Sequence, residues 1–146
     1  MKKIIFLFIL LGLVIIAGCS NGSNENNIKA VVYKSSYCGC CELYANELSK
    51  RGFDVEFQNM ETTDYKSDYG IPFNMQSCHT TVIDGYFVEG HMPFEAIQKL
   101  MEERPDIKGI ALPGMPSGSP GMPGSKTGEF TIYSIGNDGS QSTFMT

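Results

Sequence analysis

Between residues 28 and 108 the chain alternates short apolar runs with runs at helical spacing. Lys29 to Ser35 contains Ala30-Val31-Val32-Tyr33, the signature of a short buried strand. From about Cys38 to Arg51, the residues Cys41, Tyr44, Ala45 and Leu48 fall at i, i+3, i+4 and i+7, which predicts one buried helix face, and Gly52 follows as a stop. Phe53 to Phe57 alternates as a second strand, and Thr62 to Tyr69 reads as a short helix closed by Gly70 and Pro72. Thr80 to Asp84 and Tyr86 to Gly90 are β-prone runs meeting at Asp84-Gly85, a two-residue hairpin signal. Pro93 then opens a helix whose Phe94, Ile97, Leu100 and Met101 share a face, and Pro105 ends it. The predicted order over 28–108 is β-α-β-α-β-β-α.

Both ends depart from this pattern. Beyond Lys108, half of positions 109–128 are Gly or Pro, and Pro113-Gly114-Met115-Pro116 recurs as Pro120-Gly121-Met122-Pro123. Such a loop cannot pack a core of its own. Within 129–146, Phe130 to Ile135 reads as a strand, Asn137-Asp138-Gly139 as a turn, and Phe144 as part of a return strand. At the other end, Lys2 and Lys3 precede an apolar run from Ile4 to Ala17. Its length suits a secretory leader (roughly 7–15 apolar residues) and falls short of the roughly 20 that span a bilayer. The run closes as Ile16-Ala17-Gly18-Cys19, which resembles the lipobox of bacterial lipoproteins, with Cys19 as the lipidated new N-terminus. A plain signal peptide with a free cysteine nearby is the alternative. The chain thus divides into a signal peptide (1–18), a polar, flexible tether (19–27), a core (28–108), the Gly/Pro/Met loop (109–128) and a C-terminal strand or hairpin (129–146).

Charge narrows the class. Lys and Arg number 11 against 16 Asp and Glu, a formal net charge of -5. A nucleic-acid binder needs a basic footprint, and this chain lacks one. From Cys19 onward no acidic residue is lost but Lys2 and Lys3 are, so the surface is more acidic still and repels anionic lipid. Membrane attachment then falls to the anchor. Composition also excludes a polytopic membrane protein and a coiled coil. No phosphate loop, Ser-His-Asp set or His-Glu-x-x-His motif is present.

The chemistry concentrates in the cysteines. After Cys19 the chain carries Cys38, Cys40, Cys41 and Cys78, and its two histidines are His79 and His91. Cys38 and Cys41 form a Cys-x-x-Cys at a helix start, where backbone N–H groups and the helix dipole favour thiolate. With the element order, that motif matches a thioredoxin-like α/β sheet with helices packed on it. Cys40 complicates a simple redox pair, because it projects roughly 100° away from Cys41 around the helix. Thiolates so placed bridge several soft ions more readily than they wrap one, Cu(I) first and Zn(II) second.

The hairpin supplies further donors. A two-residue turn at Asp84-Gly85 pairs Ile83 with Tyr86, and extending the ladder sets Cys78 opposite His91 and His79 opposite Gly90. In a thioredoxin-like sheet the third strand runs antiparallel to the first, so it starts at the edge where the cysteine helix begins. Cys38, Cys40, Cys41, Cys78 and His91 are therefore expected to converge. Strand alternation sends His79 to the opposite side from Cys78 unless a bulge intervenes. Met115 and Met122 offer thioethers that could cover a Cu(I) site.

Three readings stay open at this point: copper binding, a thiol-disulfide oxidoreductase using Cys38 and Cys41, and a structural zinc module. Thioredoxin-fold oxidoreductases usually place a proline just before the third strand, whereas here Ser77-Cys78-His79-Thr80 occupies that stretch. Two structural disulfides are a blander alternative, made awkward by adjacent Cys40 and Cys41.

Taken together, Tyr33-Lys34-Ser35, Tyr37-Cys38-Gly39-Cys40-Cys41, Gln76-Ser77-Cys78-His79-Thr80, Asp84-Gly85-Tyr86, Glu89-Gly90-His91, Pro93, Glu103-Arg104-Pro105 and the Pro-Gly-Met-Pro segment resemble the CopG-like family of copper-resistance proteins. This is a thioredoxin-like group long described as a domain of unknown function. The resemblance runs from Tyr33 to about Met122. It implies copper bound outside the cytoplasm, as Cu(I) in a thiolate-bridged cluster of several ions, with a role in copper redox or detoxification beside other copper-resistance proteins of the cell envelope. By matching position, the implied ligands are Cys38, Cys40, Cys41, Cys78 and His91, with His79, Met115 and Met122 as weaker candidates. The lipid-anchored leader and the C-terminal tail depart from the family pattern.

Overall fold

Seven strands and three helices follow one another along the chain in the computed structural model, which describes residues 27–59 and 62–146. They are β1 (Lys29–Lys34), α1 (Gly39–Lys50), β2 (Asp54–Asn59), α2 (Thr62–Asp68), β3 (His79–Ile83), β4 (Tyr86–Glu89), α3 (Phe94–Glu103), β5 (Ile107–Ala111), β6 (Ile132–Gly136) and β7 (Gln141–Met145), with a 3-10 turn at Phe73–Met75. The leader, Cys19 and the tether up to residue 26 lie outside the described residues. Among the described residues no helix is long and apolar enough to cross a membrane.

The strands form one mixed sheet in the order β2-β1-β3-β4-β5-β6-β7. The α1 crossover makes β1 and β2 parallel, and the α3 crossover does the same for β4 and β5. The remaining neighbours are antiparallel. Successive residues of a strand point to opposite faces, so the sheet has two apolar layers. On one face α1 buries Cys41, Tyr44, Ala45 and Leu48, the residues its periodicity marks. There Tyr44 and Leu48 pack with Ala30, Ile83, Val88 and with Ile97 and Leu100 of α3. On the other face Phe87, Ala111 and Ile135 pack with Ile71 and Met75.

The structure differs from expectation at one strand. β5 crosses the boundary drawn at residue 108, and the Gly/Pro loop starts after it. Gly109 interrupts the apolar pattern of this strand, which hides it in the sequence. The glycine is there for packing: a Cβ at this position would lie 2.1 Å from the Phe87 carbonyl oxygen. The C-terminal hairpin forms as β6 and β7, and β6 extends the sheet from β5.

Candidate metal centre

The sheet register brings the cysteines together. β1 and β3 run antiparallel with Lys34 beside His79, so Cys78, the residue before β3, sits against the loop that leaves β1 and opens α1. Cys38 ends that loop at the N-cap of α1, outside the helical conformation (φ −86°, ψ 89°). Its chain turns back so that Cys38 Sγ lies 3.5 Å from Cys40 Sγ. This offsets the angular spread that helix geometry imposes between Cys40 and Cys41. Cys41 Sγ lies 3.6 Å from Cys78 Sγ. Cys38 and Cys41 are joined as a disulfide with their Cα atoms 5.5 Å apart, while Cys40 and Cys78 are free thiols. All four sulfurs fall within 4.8 Å of one another.

The hairpin adds two imidazoles. The β3–β4 ladder pairs Ile83 with Tyr86 and Thr80 with Glu89, and the Gly90 N–H continues it by donating to the His79 carbonyl at 3.1 Å. One step further, His91 Nε2 lies 3.5 Å from Cys78 Sγ. His79 departs from the expectation of facing away: its Nδ1 is 3.3 Å from Cys78 Sγ. The reason is local. β3 starts at His79, so Cys78 is not yet extended strand and the alternation of strand side chains does not bind it. Cys78, His79 and His91 form a second group of donors within 4.8 Å.

Burial sets the electrostatics. Both histidines are fully buried, their rings edge to face at 4.8 Å, with the Tyr44 ring 4.7 Å from His79 and 5.5 Å from His91. Burial, with the His91 and Lys66 charges adding to it, depresses His79 to about 3. Burial likewise lowers His91, against the opposing pull of the Pro120 carbonyl. Near neutral pH both rings are therefore uncharged, the form in which imidazole donates to a metal. Burial pushes the Cys78 thiol up to about 11, with the neighbouring Cys40 adding to the rise and the Ser77 hydroxyl opposing it. A cation bound there would have to displace its proton. His79 Nε2 is buried without a hydrogen-bond partner, whereas His91 Nδ1 meets the Pro120 carbonyl at 2.7 Å.

Directly behind the donors, on the α2 face, lies a second buried polar cluster that sequence reasoning missed. Lys66 of α2 forms a buried ion pair with Glu89 and donates to the Thr80 hydroxyl at 3.1 Å. Thr80 donates to the other Glu89 oxygen at 2.6 Å, and the Ser77 N–H donates to Glu89 at 2.5 Å. Burial raises the Glu89 carboxyl, and Lys66, Thr80 and Ser77 counter it. The signal that marks this cluster is Glu89 itself, a carboxylate closing the apolar run Tyr86-Phe87-Val88.

The methionines separate. Met115 is 39% exposed in a left-handed turn (φ 46°). Met122 lines an open cavity of about 930 Å³ between α1 and the loop, together with Cys40, Tyr44, Met92, Phe94 and Pro120. The donor set as a whole combines soft thiols with neutral imidazoles, a composition that suits Cu(I) and Zn(II) and disfavours hard cations such as Mg(II) or Ca(II). The residues present thus fit a soft metal.

Comparison with known proteins bears on the same region. The family described as "Protein of unknown function, DUF411" matches residues 75–122, which include Cys78, His79, His91 and most of the Gly/Pro loop. No curated protein matches the chain. Two solved structures, copper resistance protein CopG forms 2 and 1, are each 39% identical, with a TM-score of 0.74. The likeness covers 81% of this chain and 96% and 95%, respectively, of theirs.

Proposed function

The chain belongs to the family of copper resistance protein CopG, and on that premise we propose that it binds Cu(I) at the edge of its sheet as part of copper resistance. The observation that carries this reading is the meeting of Cys38, Cys40, Cys41, Cys78 and His91 from three separated stretches of chain. His79 completes the set. Clustered thiolates favour bridging, so the proposed load is more than one copper ion per chain. The N-terminal amides of α1 offset part of the negative charge that such thiolates accumulate.

Loading depends on the redox state of the site. With Cys38 and Cys41 bonded, their sulfurs are poor donors. Two electrons and two protons from a thiol reductant open the bond to two thiols, and all four sulfurs become available. The thioredoxin-like reading is supported by the β2-β1-β3-β4 order, with β1 and β2 parallel and β3 antiparallel to β1. The leader motif ending at Cys19 supports a lipid-anchored protein on the outer side of a membrane, in contact with other copper-handling proteins of the cell envelope.

The Cys38–Cys41 disulfide gives one specific observation to a second reading, a thiol-disulfide oxidoreductase. A single set of measurements separates the two. Under oxygen-free conditions the reduced protein is titrated with Cu(I) and with Zn(II), and the metal-free protein is assayed for disulfide reduction. The copper reading expects several Cu(I) per chain, retained against Zn(II), and no catalysis by metal-free protein. One zinc held against Cu(I), or metal-free turnover of a disulfide substrate, would overturn it.

A further inference from the structure

The Gly/Pro/Met loop lies over the cysteine helix and reaches His91. Pro120 offers its carbonyl oxygen to His91 Nδ1 at 2.7 Å. A carbonyl only accepts, so the ring nitrogen facing it carries the hydrogen, and in the neutral ring the other nitrogen is bare. That other nitrogen, Nε2, is the one 3.5 Å from Cys78 Sγ. The next residue, Gly121, sits on the first turns of α1. A Cβ there would come within 2.7 Å of Tyr44 N and 3.2 Å of the Cys40 carbonyl oxygen, both backbone atoms, and the residue has φ +78°. The approach is closed to any larger side chain. The loop is also tied to itself: buried Ser119 donates to the Pro116 carbonyl at 2.7 Å, and the Met122 N–H donates to the Ser119 carbonyl at 2.9 Å.

We propose that residues 119–122 act as a positioning strap, in which Gly121 lets the backbone rest on α1 so that the Pro120 carbonyl fixes His91 as the Nδ1–H tautomer with Nε2 turned to the thiols. The strap's purpose rests on the copper reading above, but its geometry does not. A metal-binding imidazole whose second nitrogen is held by a carbonyl keeps one tautomer and one ring orientation, and losing such a partner weakens metal affinity about tenfold to a hundredfold. This gives the otherwise core-less loop a definite task and places it in the region shared with the matched family.

The test uses the full chain, reduced and metal-free, with ¹⁵N-labelled histidine. The nitrogen shifts of His91 report which ring atom carries the hydrogen, and Cu(I) competition reports affinity. The wild type should show His91 as Nδ1–H. Gly121→Ala should lift the strap, mix the tautomers and weaken Cu(I) binding about tenfold to a hundredfold. Gly124→Ala is the control: it strains the same loop at an equally left-handed position (φ +87°), but its Cβ meets only the Ser117 side chain. It should leave the tautomer and affinity as they are. A wild-type His91 protonated on Nε2 overturns the proposal without any variant. An unchanged tautomer in Gly121→Ala, or equal effects of the two substitutions, overturns it as well. A wild type with the Nδ1–H tautomer and no Cu(I) uptake would uphold the strap and overturn the copper reading instead.

Discussion

Two buried polar clusters stand back to back across the sheet, built from neighbouring residues, and they are finished differently. Thr80 and Glu89 face α2, where Lys66 supplies the opposite charge and Ser77 a further N–H, so the Glu89 carboxylate meets three donors. His79, next to Thr80, and His91, one glycine beyond Glu89, face α1. There Nε2 of His79 has no hydrogen-bond partner, two thiols are free and two more are held in a reducible bond. Leaving a buried polar atom unpaired costs about 1–3 kcal/mol, and folded chains rarely bear that without a reason. The α2 cluster is closed and serves the fold. The α1 cluster is left open: the His79 nitrogen beside the thiols is Nδ1, and together with His91 and the free sulfurs it makes a donor set that suits a soft cation.

Breaking the closed cluster gives the largest expected effect. Lys66→Met leaves Glu89 buried with its charge unpaired and should cost about 3–5 kcal/mol in urea unfolding. Adding Glu89→Gln to Lys66→Met should restore part of that loss, and it should do so whether or not copper is present. Breaking the open cluster reads out on binding instead. Cys78→Ser removes the atom shared by both donor groups. It should weaken Cu(I) binding by more than about a hundredfold, since partners one step removed from a metal are already worth about tenfold to a hundredfold. Stability of the metal-free protein should change far less than in the Lys66 variant.

A smaller effect sharpens the comparison through pH. His79 and His91 both titrate lower in the folded protein than their ordinary 6.5. As pH falls below about 6.5 the unfolded chain takes up protons that the folded chain does not, so stability present above that pH is progressively lost toward acid. His79→Phe removes one of these groups and the orphaned nitrogen with it. The metal-free variant should be about 1 kcal/mol more stable than wild type near neutrality. The gap should widen toward about pH 5, measured by urea unfolding at both pH values. The smallest effect belongs to the surface: Lys50→Ala opens an exposed pair with Glu47 and should shift stability by less than about 0.5 kcal/mol.

What the sequence showed depended on whether local periodicity carried the information. The buried face of α1 was legible because four residues keep helical spacing. The approach of Cys78 to His91 was legible because a two-residue turn fixes every pair in the hairpin. β5 was hidden because packing against Phe87 put a glycine in mid-strand. His79 was left open, a weaker candidate, because alternation was applied one residue before the strand begins. The Lys66–Glu89 pair joins residues 23 apart, and the His91–Pro120 bond joins an imidazole to a backbone carbonyl 29 residues on. Contacts of that kind belong to the tertiary fold, and no local pattern announces them.

X-ray absorption at the copper edge, on reduced protein loaded with Cu(I) in the absence of oxygen, tests the central claim most directly. The account predicts a coordination shell dominated by sulfur with an imidazole contribution, and copper–copper scattering from thiolate bridging. A shell of nitrogen and oxygen without sulfur, or a spectrum unchanged by Cys40→Ser and Cys78→Ser, would contradict it.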